Sequence, residues 1–195
     1  MKKSCSLVLA VVTLSVLSGC AGTAPTAEFR KPISDAMRLC MNDDATVTLS
    51  AADGVMLNDV SRQRLESRLT QTINEKKKLV QCKTADKRVF ALNSKITRYD
   101  EGNAFARAML AGLGQIHIDG EFVLTQKLVA AAASDHTANP AISNASASES
   151  VAEFTVQKTF AWGGLYGSST RIDDVEPAFA EGVTDAIVAQ VDVAK

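Results

Sequence analysis

The chain has 195 residues, 46% of them hydrophobic and 22% charged, with a formal net charge of −1. That length and apolar content suffice for one domain with a core. The near-neutral balance excludes the concentrated Lys/Arg surface that nucleic acid rewards, so no nucleic-acid partner is expected.

Chain order begins with an address. Met1-Lys2-Lys3 is a basic start, and Leu7 to Val16 is an apolar run broken only by Thr13 and Ser15. The run is well short of the roughly 20 residues a spanning helix needs, and its basic flank fits a cleaved export signal. It ends in Leu17-Ser18-Gly19-Cys20, which resembles a lipobox, the lipoprotein signal-peptidase pattern. This predicts residues 1–19 as signal peptide, cleavage before Cys20, and acylation of the Cys20 thiol. The partner so implied is the membrane, reached through acyl chains, which add about 0.8 kcal/mol per buried CH2. Ala21, rather than Asp, follows the cysteine; by resemblance to sorting in enteric bacteria this favours the periplasmic face of the outer membrane. Losing residues 1–19 removes Lys2, Lys3 and no acid, so 19 basic and 22 acidic side chains remain.

Residues 20–32, small, polar and proline-containing, read as a lipidated tether. Residues 33–195 read as a single domain. With Cys5 lost and Cys20 acylated, Cys40 and Cys82 remain for an oxidising compartment. A disulfide is expected, the alternative being two separately buried thiols. Neither cysteine has a second ligand at a metal-binding spacing, so no metal or other cofactor is expected.

Ala45 to Ala51 alternates as a strand, and Asp53-Gly54 marks a turn. Asn58 to Lys78 reads as a helix with Leu65, Leu69 and Ile73 on one face and Asn58 or Asp59 as N-cap. Lys76-Lys77-Lys78 would either meet anionic lipid headgroups or complement the helix dipole. Leu79 to Cys82, Arg88 to Arg98, Gln115 to Lys127 and Glu153 to Trp162 read as strands, with Lys158 breaking the last one's apolar face at an edge or bulge. Between two of these lies an apolar stretch from Asn103 to Gly114, either a helical turn or a glycine-ended loop. Residues 131–150 are rich in Ala, Ser and Asn and read as a flexible insert. A last amphipathic helix carries Val175, Phe179, Val183, Ile187 and Val191, with Asp174 as N-cap and Pro177 at the third helical position. The predicted order is β-α-β-β-β-β-α: an α+β two-layer sandwich, mostly antiparallel, with the helices on one face.

From Ile96-Thr97-Arg98-Tyr99 onward the pattern resembles a domain-of-unknown-function family of small bacterial lipoproteins. Its marks are Gly102-Asn103 and Gly112-Leu113-Gly114 around the apolar segment, the run Trp162-Gly163-Gly164-Leu165-Tyr166-Gly167-Ser168-Ser169, and an acidic-started final helix. The resemblance spans roughly residues 90–191. The chain departs from it by the insert between Val129 and Ser150. It implies an α+β lipoprotein domain and no catalytic residue.

Chemistry is sparse. His117 lies with Asp119 and Glu121 on the polar side of a strand, either a proton-transfer or metal cluster or a solvated sheet face. No nucleophile elbow, zincin, P-loop or dinucleotide fingerprint occurs. A hydrolase would need His117 in a cleft with a nucleophile in reach. The expectation is therefore a protein that is not an enzyme: an outer-membrane-anchored envelope interaction or assembly module with an envelope protein partner. The candidate interaction surface is Phe105, Met109, Leu110, Leu113, Trp162 and Tyr166. The alternative is a carrier of a lipid or small apolar ligand, which needs an apolar cavity of about 300 Å³ or more.

Overall fold

The computed structural model describes residues 24–110, 113–127 and 148–189. The lipobox with Cys20, most of the 131–150 insert, and Val191 lie outside the described residues. The elements are β1 (Thr26–Lys31), a 3-10 turn (Asp35–Met37), β2 (Asp44–Ala51), α1 (Asp59–Lys77), β3 (Val89–Asp100), α2 (Ala104–Met109), β4 (Ile116–Lys127), β5 (Ser148–Phe160), α3 (Gly164–Ser169) and α4 (Ile172–Ile187).

The fold is α+β. Five strands form one open sheet in the order β1-β5-β4-β3-β2. All neighbours are antiparallel except β2 and β3, which run parallel because α1 connects them. Helices α1 and α4 pack against each other and onto the sheet. The period-two sets that the sequence displays meet there: Phe90, Leu92 and Ile96 of β3, Ile118, Phe122 and Leu124 of β4, and Phe154 and Val156 of β5 are buried. They close on Leu65, Leu69 and Ile73 of α1 and Phe179 and Val183 of α4. Phe122 stacks on Phe154 with ring centroids 5.2 Å apart.

Two strand assignments exchange places. Leu79–Cys82 is not a strand: Leu79 and Val80 donate back to Lys76 and Lys77 as α1 unwinds, and Cys82 is tied to Cys40. In its stead Thr26–Lys31, read as tether, pairs with β5, placing Ala27 opposite Val156 and Phe29 opposite Phe154. Its start is fixed by Pro25, which seats on Gly182 of α4. A Cβ on Gly182 would stand 2.4 Å from the proline Cβ, so the close approach requires glycine. Ser148–Ser150, read as insert, extend β5 against β4, and Trp162 lies beyond that strand's end.

Helix ends follow the polar groups that satisfy them. The Asn58 side chain caps α1 by accepting from the Ser61 N–H at 2.8 Å. The α4 helix starts earlier than expected. Asp174 is its third residue, and its carboxylate accepts from the Arg171 N–H at 2.9 Å. Pro177 thus falls at the sixth position, where it cannot give the Asp173 carbonyl the usual backbone donor. Lys158 is not at a bulge; it lies one residue past Gln157, where the pairing with β1 stops and leaves β5 as the edge of the sheet. It is buried opposite Ile118, in register, and burial lowers its pKa.

A register shift after Ile96 makes Thr97 the extra residue of β3. Beyond it the faces exchange, so Tyr99 turns to the helix side opposite Ile118 while Arg98 and Asp100 face outward opposite Asp119 and His117. The Tyr99 hydroxyl donates to Glu176 of α4 at 2.8 Å, and Arg64 of α1 donates to the same carboxylate through Nε and Nη2, each at 2.9 Å. One buried carboxylate thereby joins both helices to the sheet.

Candidate interaction surface

The six residues singled out for their apolar excess come from two segments remote in sequence, and the fold brings both to one end of the sheet. Residues 102–114 leave the end of β3 and enter β4. Gly102 and Gly114 sit at φ +63° and +68°, where the backbones cross so closely that a Cβ on Gly102 would meet the Gln115 carbonyl at 2.1 Å. Between them Asn103 caps α2 by accepting from the Ala106 N–H at 3.0 Å. The second segment leaves the end of β5 and turns through α3 before α4. The two short helices pack together.

Their outer surface is apolar. Phe105 is 73% exposed, Leu165 90% and Trp162 41%, with Met109, Leu110, Leu113 and Tyr166 also exposed. The Trp162 ring leans on Tyr166 with centroids 4.9 Å apart and on Phe160 at 6.3 Å. Burying side chains of this kind is worth about 1.5–3 kcal/mol each. Leu165 is not among the six candidates, although it lies between Trp162 and Tyr166.

Arg107 is the second omission, and it explains why the platform is held in shape. It is 2% exposed. Its Nε donates to the Gly167 carbonyl at 2.8 Å, Nη1 to those of Glu101 and Gly114 at 2.6 and 2.7 Å, and Nη2 to that of Thr170 at 3.1 Å. A single planar guanidinium thus ties both loops through four backbone acceptors, a task that needs its fork of donors. The sequence signal was present: Arg107 is the one charge in an apolar run bracketed by glycines.

The remaining candidates fall elsewhere. Cys40 and Cys82 form a disulfide, with Cα atoms 5.2 Å apart. Beside it Asp43, buried, accepts from the Cys40 N–H and from Arg88 through Nε and Nη2 at 2.9 and 2.6 Å. Lys77 donates to the Asp43 carbonyl and Lys76 pairs with Asp185 at 2.6 Å. Two of the three clustered lysines are therefore engaged within the fold rather than with headgroups. His117 stands on the sheet face opposite α1 and α4, its Nδ1 3.1 Å from the Thr159 hydroxyl across the strand pair. Burial and the nearby Arg98 lower its pKa below the ordinary histidine value, while burial raises that of Asp119. A hydroxyl is thus within hydrogen-bond reach of His117. Among the described residues no group of three His, Cys, Asp or Glu gathers as a metal site. No helix among them is long and apolar enough to cross a membrane.

A cavity of about 340 Å³ opens beside the platform between β5 and α4, lined by Lys158, Phe160, Tyr166, Ser169, Thr170 and Asp174 among others. Its lining is mixed in polarity. The middle of the space between sheet and helices is filled by Phe90, Phe122, Phe154 and Phe179, all fully buried.

The family model for a domain of unknown function, DUF4410, matches residues 40–164. No curated protein matches the chain. Among solved structures the chain is similar to a PelC dodecamer from Paraburkholderia phytofirmans, at 13% identity and a TM-score of 0.47, over 85% of this chain and 99% of that one.

Proposed function

We propose that this chain, which belongs to the DUF4410 family of domains of unknown function, is a non-catalytic interaction module anchored through Cys20 to the periplasmic face of the bacterial outer membrane. The lipobox supports the anchor. The Cys40–Cys82 disulfide is in keeping with an oxidising compartment. The observation that carries the interaction reading is the platform of α2 and α3: seven large apolar side chains exposed at one end and held in place by a buried arginine. Contiguous apolar surface of this kind on a folded domain marks a docking site. The partners proposed are the membrane, through the acyl chains, and an envelope protein. The packed interior and mixed cavity lining favour this reading over that of a carrier.

The test combines a clickable fatty acid with a photo-crosslinking side chain at position 165 in intact cells. The expected result is label on the wild-type chain, adducts at 165, and an unlabelled, uncleaved Cys20→Ser precursor. Phe105→Ser with Leu110→Ser should keep the wild-type melting temperature and lose the adducts. Label retained by Cys20→Ser would remove the anchor. A double variant that melts many degrees lower would make these side chains core, since core truncations cost about 2–5 kcal/mol.

A further inference from the structure

We infer that the α2–α3 platform lies in the headgroup–acyl boundary of the membrane, beside the lipidated end of the chain. The inference rests on the anchored-module reading and names what its surface meets. Three observations favour a bilayer as what this surface meets, a protein being the other outcome of the test.

The first is the disposal of polar groups. Residues 103–110, 113–114 and 162–170 contain a single charged side chain, Arg107, and it is turned inward onto four carbonyls. The serine and threonine hydroxyls behave likewise. Ser168 donates to the Leu165 carbonyl at 2.8 Å, and Ser169 and Thr170 donate to that of Tyr166 at 3.0 and 2.9 Å. The Asn103 side chain is spent on the α2 cap. A surface that satisfies its guanidinium and its serine and threonine donors internally suits a medium poor in water.

The second is composition. Phe105, Leu110, Leu113 and Leu165 supply apolar bulk, and Trp162 and Tyr166 supply amphipathic rings. Trp and Tyr with an apolar body and a polar tip favour the membrane–water interface.

The third is position. Because β1 is antiparallel to β5, with Thr26 opposite Gln157, β1 starts at the end of the sheet where β5 leads out to Trp162. Pro25, seated on Gly182, fixes that exit point on the body. Cys20 is five residues before Pro25, a reach of at most about 18 Å. Acyl chains on Cys20 would therefore hold this end of the domain at the bilayer, and the platform would set its orientation there.

The acylated full chain reconstituted into vesicles of phosphatidylethanolamine and phosphatidylglycerol tests this through Trp162, the chain's single tryptophan. Phospholipids brominated near the headgroup end of the acyl chain should quench Trp162 more strongly than those brominated at the chain terminus. A Phe105→Ser, Leu165→Ser variant, held in the same vesicles by its acyl chains and melting as wild type, should lose more than half of that quenching. Photo-adducts at position 165 should carry the mass of a phospholipid. Unquenched Trp162 in protein-bearing vesicles overturns the inference. If it is accompanied by adducts to a second copy or an envelope protein, the docking reading survives and the bilayer one fails; without adducts of any kind both fail.

Discussion

A carboxylate with no exposure shows how much a single side chain decides here. Glu176 receives two hydrogen bonds from Arg64 and one from Tyr99, and Arg68 Nε lies 3.6 Å away. Charge-assisted and bidentate, these are the stronger kind of hydrogen bond. They also hold α1, α4 and β3 at one point. In sequence Glu176 is one of three acids at a helix start, where acids suit the dipole, and nothing local distinguishes the one that is buried. Tyr99 reaches it only because Thr97 is bulged out. Burial, then the hydrogen bond to Glu176, raises the Tyr99 pKa above the ordinary value near 10. A raised pKa contributes stability that is complete below the unfolded value and is lost as pH rises through the folded one. The urea midpoint is accordingly expected to fall from about pH 10 upward, and Tyr99→Phe should flatten that dependence while starting lower at neutral pH. An unchanged alkaline slope in Tyr99→Phe would assign the loss to other groups.

At the scale of elements, α2 and α3 are six residues each, too short to be stable alone. Their order comes from Arg107, which bridges the loops around them. Replacing it by Met removes every donor while keeping most of the apolar stem, and leaves buried carbonyls each costing about 1–3 kcal/mol unless water reaches them. A net loss of about 2–4 kcal/mol is expected, or roughly 5–15 °C in melting temperature. Amide exchange should rise in residues 103–110 and 163–170 and remain unchanged in β3 to β5. Arg107→Lys should rescue little, because an ammonium lacks the planar fork. Exchange that rises evenly over the molecule would show that the arginine supports the whole fold and not these two elements. The periodic elements themselves were legible: α1, β3 and β4 occupy nearly the residues that their hydrophobic spacing indicates. The loops were not, because an apolar run between glycines reads the same whether its side chains turn in or out.

Across the whole molecule, the Cys40–Cys82 bond closes the segment that contains β2 and α1. The Leu39 stretch next to it bridges the far end of α4: Leu39 accepts from Ala189 and donates to Ile187, and Arg38 reaches the Ala186 carbonyl. Arg88 binds the Ala36 and Arg38 carbonyls from the other side. The loop is thus held covalently and by hydrogen bonds at once. Closing a loop with a sequence separation of 42 is worth about 4 kcal/mol in the chain-entropy account. Cys40→Ser with Cys82→Ser should therefore lower the melting temperature by roughly 8–16 °C. A shift of only a few degrees would mean that the Asp43–Arg88 clamp holds the loop unaided.

The α+β class, the main strands and both long helices were legible along the chain, because periodicity of two or 3.6 reports which face of a segment avoids water. The sequence also pointed to Cys40 and Cys82 as the pair, which the structure joins. The tertiary structure decided the rest. It decided that residues 26–31 are an edge strand, that Glu176 and Arg107 are buried while their neighbours are not, and that two apolar segments some 50 residues apart form one surface. Each of these depends on what arrives from distant parts of the chain to satisfy a polar group or cover a side chain, and hydrophobic pattern along a segment carries no record of that arrival.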